Sequence, residues 1–101
     1  MRNLLALLPL LMLTQPCAAE IAADRAQILE HIVLQDCGSC HGLTLKGGLG
    51  RPLTTDALAH ADAEGLALII LDGVPGTAMP PWRPLITEDE AMWIARYLKK
   101  D

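Results

Sequence analysis

Cys37-Gly38-Ser39-Cys40-His41 places two thiols three positions apart and an imidazole directly after the second. On one helical turn, two such thiols can form thioether bonds to the two vinyl groups of a single porphyrin. The histidine that follows can take the iron from the proximal side. Cys37 and Cys40 are then tethers and His41 an axial ligand, while Gly38 and Ser39 are small enough to lie close to a ring plane. Two other chemistries use paired cysteines. A thioredoxin-like C-x-x-C needs a βαβ surround, and no alternating or β-branched run supplies one here. A zinc site needs four well-separated ligands, and beyond residue 19 the only cysteines are the two in this motif. The pattern reads as the attachment site of one haem c.

A sixth iron ligand must come from elsewhere. The stretch 73–84 holds four prolines and two glycines in twelve residues, which forbid regular structure and stiffen an extended path. Met79 sits within it and has no helical face to fill, so its thioether is the expected distal ligand. Trp82 is expected to wall the pocket, its indole N–H free to meet a propionate. His60, in a linker, is the second choice for the distal position. His31 lies too close to the motif to reach around a porphyrin. Met92 falls on a helix and reads as core or rim.

The elements that must position these residues follow from periodicity. Residues 24–35 read as a helix, with Asp24 as N-cap, Gln27 three residues on, and Ile28, Leu29, Ile32 and Val33 as its apolar stripe. This helix delivers the cysteine motif. The stretch 42–53 is a loop with four glycines between residues 42 and 50; it is expected to lie along the haem edge and offer a carbonyl to the second ring nitrogen of His41. Thr54 or Thr55 can cap a short helix over 56–58. Asp62 can cap another from Ala63 to about Leu71, carrying Leu66, Ile69 and Ile70 inward, with Gly73 to end it. Thr87-Glu88-Asp89-Glu90 is a capping box that opens a last helix, with Ala91, Ile94 and Leu98 on one face and Trp93 and Tyr97 beside it. Arg96, Lys99 and Lys100 complement its dipole.

Bulk properties bound the rest. The chain has 101 residues, formal net charge −4 and mean hydropathy +0.30. Residues 1–19 have the layout of a secretory leader: one early positive charge at Arg2, an apolar run from Leu4 to Leu13 broken only by Pro9, and small residues at Cys17-Ala18-Ala19. That run is shorter than the roughly 18 to 20 residues of a spanning helix, so no stable membrane anchor is expected. Pro16 also disfavours a lipoprotein reading of Cys17. Cleavage after Ala19 leaves a domain over residues 20–101 with seven basic and twelve acidic side chains, net −5. Phosphate binding wants the opposite sign, which argues against nucleic acid as a partner. A domain of this size buries a marginal core and usually needs a staple; a covalent haem would supply it. Export agrees with haem attachment and places the protein in the periplasm.

With these features together, residues 24–100 resemble the class I c-type cytochromes. More narrowly, C-G-S-C-H-G-L-T-L-K-G-G-L-G with P-G-T-A-M-P-P-W is similar to the small NirC-type cytochromes of denitrifying bacteria. The wide resemblance implies an all-α fold of about four helices wrapped around one covalently bound haem, with Cys37 and Cys40 as tethers and His41 and Met79 as axial ligands. The narrow one implies an electron carrier of nitrite respiration, not an enzyme, whose partners are cytochrome cd-type nitrite reductase or the enzymes of haem d biosynthesis. One departure stands out. Class I chains often read G-P-x-L after the motif, whereas Gly50-Arg51-Pro52-Leu53 shifts the proline by one. The carbonyl expected to meet His41 is therefore that of Arg51. Lys46, Arg51 and Arg83 flank the expected haem edge, where they could steer an acidic partner or neutralise propionates. Two other functions remain open: a haem with an open iron for ligand binding, and an accessory redox subunit in enzyme assembly. The two loops could also act as hinges, so the chain is expected as a monomer or a domain-swapped dimer.

Overall fold

The computed structural model describes residues 9–13 and 20–101. Most of the expected leader lies outside the described residues; the part within them, 9–13, has no regular structure. Four α-helical segments follow: α1 (Ala23–Ile32), α2 (Gly38–His41), α3 (Ala63–Asp72) and α4 (Glu88–Lys99). There is no strand among the described residues, and no helix there is long and apolar enough to cross a membrane.

Helix α1 starts earlier than Asp24 and without a side-chain cap, because Ala22 and Ala23 take helical hydrogen bonds readily: the Ala26 N–H donates to the Ala22 carbonyl at 2.9 Å. Asp24 falls in the first turn, where its charge still favours the positive end of the helix. Its Oδ1 accepts only the neighbouring Arg25 N–H, at 2.8 Å. The helix does not stop at Gln35 either. It widens into a π-helical turn, Val33–Cys37, and returns to α-helix at Gly38. Such an insertion turns later side chains by about one residue step, roughly 100° of helix rotation. Leu29 before it and Val33 at its first position are fully buried, Cys37 is its last residue, and Cys40 and His41 follow it.

Helix α4 is the centre of the core and packs against both α1 and α3. Ala91, Ile94, Ala95 and Leu98 form its buried stripe, and the two alanines, both at 0 % exposure, allow close helix approach. Trp93 and Tyr97 stack on the adjacent face, ring centroids 5.0 Å apart and planes 11° from parallel. The most buried residues of helix α3 are Ala67 and Leu71; of the expected set, Leu66 and Ile70 pack against the core and Ile69 does not. Leu66 and Ile70 are half-buried, and Ile69 is 46 % exposed. The reason is composition. Helix α3 is apolar nearly all round, so periodicity could not choose its inner face, and the small Ala67 fits closest to α4.

The expected short helix after Thr55 is a run of hydrogen-bonded turns over 54–61. Thr54 does cap it, its Oγ1 accepting the Ala57 N–H at 3.3 Å and its carbonyl the Leu58 N–H at 3.0 Å. Lys99 bonds to these turns as well: its Nζ donates to the Leu58 carbonyl at 3.2 Å, which also accepts the Ala61 N–H at 3.1 Å, and to the Ala61 carbonyl at 2.6 Å. Lys99 thus ties the turn run to α4 as well as complementing a helix dipole. Asp62 caps α3 as expected, Oδ1 accepting the Gly65 N–H at 2.5 Å.

The capping box of α4 forms in full. Thr87 Oγ1 accepts the Glu90 N–H at 3.1 Å, and Glu90 Oε1 accepts the Thr87 N–H at 2.9 Å. Glu90 has a second partner, the Arg25 guanidinium, with Nε donating to Oε2 and Nη2 to Oε1. One buried carboxylate therefore fastens the start of α1 to the start of α4. The Arg25 hydrogen bond holds the Glu90 carboxyl below its usual value, outweighing the upward push of burial. A carboxyl with a lower pKa folded than unfolded stabilises the fold above about pH 4.3, and this contribution disappears as pH falls through the folded value. Glu90→Gln is expected to be less stable at neutral pH and to lose less further stability on acidification than the parent, measured as melting temperature between pH 7 and about pH 3. Thr87→Ala removes one cap and is expected to cost about 1 kcal/mol in denaturant unfolding, at all these pH values.

Candidate cofactor site

Cys37 closes the π-helical turn, and Cys40 and His41 follow on α2, so one unbroken helical path carries all three. Both thiols are free and half-buried. Burial, and then the neighbouring Asp36 carboxylate, pushes the Cys37 thiol above its ordinary value. Ser39 faces back along the helix, its Oγ donating to the Asp36 carbonyl at 2.7 Å.

A helix that ends at His41 leaves carbonyls without intrahelical partners. The glycine loop supplies them. The Gly50 N–H donates to the Cys40 carbonyl at 2.7 Å and the Gly47 N–H to the His41 carbonyl at 2.8 Å. This folds 42–53 back onto the motif. The fold-back places the Arg51 carbonyl 2.6 Å from His41 Nδ1, the contact expected from the shifted proline. With Nδ1 donating to that carbonyl, Nε2 is the ring nitrogen a metal could use, and the ring is oriented for it. Gly50 lies flat against the imidazole. A Cβ there would come within 2.7 Å of Cε1 and Nδ1.

Met79 lies apart from the motif in sequence, half-buried in the loop 73–86. That loop is laced to the end of α3: Trp82 N–H donates to the Ile70 carbonyl at 3.1 Å and Arg83 N–H to the Leu71 carbonyl at 3.0 Å. Trp82 is half-buried against the core. Arg83 is committed to carboxylates, with Nε 2.9 Å from Asp72 and Nη1 3.2 Å from Glu88. It therefore holds the loop closed on α3 and α4 instead of standing free at an edge. Lys46 and Arg51 are exposed, as are His31 and His60.

The residues suit a haem better than the alternatives. No group of three or more His, Cys, Asp or Glu side chains able to hold a metal ion occurs among the described residues, which disfavours a zinc-type site. The donor set is two thiols, one imidazole with an oriented second nitrogen, and one thioether. Apolar side chains that the protein does not cover, Leu68 at 57 % exposure and Ile69 among them, stand on α3. Sequence reasoning named four candidate donors but missed the close approach of Gly50 to the His41 ring and of Gly73 to the Met79–Pro81 backbone. Their signal is backbone proximity, which spacing along the chain does not carry.

Comparison with known proteins gives the family. The family model described as cytochrome c oxidase, cbb3-type, subunit III matches residues 24–98. The chain belongs to the c-type cytochromes. Among them it is similar to cytochrome c55X of Paracoccus denitrificans (strain Pd 1222), 59 % identical over 96 residues that cover 95 % of this chain and 93 % of the relative. Cytochrome c55X of Stutzerimonas stutzeri is 46 % identical over 90 residues, 89 % of this chain and 80 % of that one. Among solved structures, the c-type cytochrome NirC superposes with a TM-score of 0.77 at 48 % identity, over 79 % of this chain and 94 % of NirC. The dihydro-haem d1 dehydrogenase NirN in complex with DHE matches with a TM-score of 0.64 at 28 % identity, over 69 % of this chain but only 15 % of NirN.

Gly50→Ala is expected to push the imidazole off its carbonyl and to lower stability by about 1 to 3 kcal/mol, the usual cost of overpacking. Denaturant unfolding of the haem-loaded protein, with the His41 ring resonances followed by NMR, measures both effects.

Proposed function

We propose that this chain is a periplasmic, mono-haem carrier of single electrons in nitrite respiration, with residues 1–19 removed on export. Cys37 and Cys40 would hold the porphyrin through thioethers, and His41, through Nε2, and Met79 would hold the iron. The observation that carries this reading is the 2.6 Å contact between His41 Nδ1 and the Arg51 carbonyl. It orients an imidazole for metal ligation directly beside two free thiols.

When bound, the haem supplies a one-electron iron couple, raised in potential by thioether ligation. The protein's own residues do the rest. His41 and Met79 would hold the iron between them, so no substrate would have to reach the metal. Lys46 and Arg51 are exposed on a stretch, 37–55, that contains no acidic residue, although the domain as a whole is acidic. They give the loop next to the haem motif a positive local field, which suits an acidic partner and speeds encounter more than it tightens binding.

Two partners suit a protein of this type: nitrite reductase and the enzymes that make haem d1. The likeness to a part of NirN, whose name refers to a dihydro-haem d1 dehydrogenase, favours the second. On that reading the cytochrome removes electrons released as the d1 precursor is oxidised. Stopped-flow mixing with each enzyme separates the two: reduction of the ferric cytochrome by the dehydrogenase and its d1 precursor, with no oxidation of the ferrous cytochrome by the reductase and nitrite, supports the assembly role.

The axial assignment has its own test. The ferric protein is expected to show the weak far-red charge-transfer band of sulfur-to-iron ligation, and Met79→Ala to lose it along with a drop in midpoint potential. A parent without that band would put another group, or an open site, opposite His41.

A further inference from the structure

Gly73 does more than end α3. It is buried, with φ 65° and ψ −169°, a region that side chains enter only under strain. A Cβ at this position would lie 2.6 Å from the Met79 carbonyl oxygen, 2.8 Å from the Pro80 carbonyl carbon and 2.9 Å from the Pro81 nitrogen. All three are backbone atoms, so no rotamer change makes room. The returning strand of the loop is also pinned on both sides of this crossing. The Val74 N–H donates to the Met79 carbonyl at 3.2 Å, and the Trp82 and Arg83 N–H groups donate to the last turn of α3. Beyond the crossing, the Arg83 side chain joins Asp72 at the end of α3 to Glu88 at the start of α4. Pro80 and Pro81 stiffen the segment between these ties. The closest approach at Gly73 therefore determines how far the Met79 backbone stands from α3.

We propose that Gly73 is a positioning residue for Met79: its missing side chain lets the loop lie flat on α3 at the height that brings the thioether to the iron, and the Arg83 bridge keeps the crossing closed. This rests on Met79 being the axial ligand. Neither Gly73 nor Arg83 touches the haem iron in this account; both act through the loop backbone. At Gly73 an added methyl lifts the loop. At Arg83, loss of the guanidinium leaves the loop at the right height but lets it open more often.

The test uses the haem-loaded ferric protein, its far-red sulfur-to-iron band and its rate of cyanide binding, with helicity followed by far-ultraviolet circular dichroism. Gly73→Ala is expected to keep its helicity, to lose most of the band and to bind cyanide faster by about tenfold or more, the scale that strain in this backbone region implies. Arg83→Gln is expected to keep the band and to bind cyanide several-fold faster than the parent. Parental band and parental cyanide rate in Gly73→Ala overturn the proposal. Should Gly73→Ala fail to fold or to load haem, Arg83→Gln decides alone, and a parental rate there overturns it. Met79→Ala run alongside separates the two levels. If the parent band survives in Met79→Ala, Met79 is not the ligand and the underlying reading fails. If the band is lost there but intact in Gly73→Ala, the ligand stands and the positioning role falls.

Discussion

Close packing of α4 against α1 and α3 is the interaction on which the rest of this molecule depends. The stripe Ala91, Ile94, Ala95 and Leu98 brings the other two helices to a common partner, and each then presents a different half of the candidate site. From α1 the helical path runs on through the π-turn to Cys37, Cys40 and His41. From the last turn of α3 hang the backbone bonds that hold the Met79 loop. The two polar ties added to this packing act at helix starts and loop exits. Glu90 joins α1 to the capping box of α4, and Arg83 joins the end of α3 to the same region. A buried carboxylate with three donors is well compensated, and its depressed pKa is the electrostatic record of that compensation.

The core made by the protein alone is small. Its fully buried large side chains are Leu29, Val33 and Ile94, few for a domain that must fold without a disulfide among its described residues. Helix α3, apolar on nearly every face, covers only one of them with α4 and leaves Leu68 and Ile69 open. A planar apolar group bound through two covalent links supplies the missing layer. In a c-type cytochrome the cofactor is thus part of the fold as well as the redox centre, the same logic by which metals staple other small domains.

The glycines near the site serve contact more than flexibility. Gly50 lets the loop lie against the His41 ring while the next carbonyl reaches Nδ1. Gly73 lets the second loop cross α3 at backbone distance. Both positions bring a backbone close to a group that must be held still, one an imidazole and the other the segment carrying a thioether. The same economy appears in the charges. Arg83 is spent on internal ion pairs, which leaves Lys46 and Arg51 as the exposed cations of the loop that follows the motif.

Much of this was legible from the chain itself, because the signals were local. C-x-x-C-H specifies haem chemistry within five residues, Thr87 to Glu90 specify a helix start within four, and Asp62 and Gly73 bracket α3. Even the Arg51 carbonyl followed from counting along the loop to a shifted proline. Other features depended on neighbours distant in sequence. Which face of α3 turns inward was decided by the fit of Ala67 against α4, since hydrophobicity all round gave periodicity nothing to choose between. The first helix outran its expected cap because alanines upstream could propagate it, and it then widened where the motif had to be turned. The segment after Thr55 stayed a set of turns whose carbonyls Lys99 could reach from forty residues away in sequence. The sequence by itself determined the caps and the cofactor class and named the candidate donors, all set by residue type at short spacing. Only the tertiary structure decided which backbones pass close enough to hold those donors, because closest approach is a property of packed surfaces and not of order along a chain.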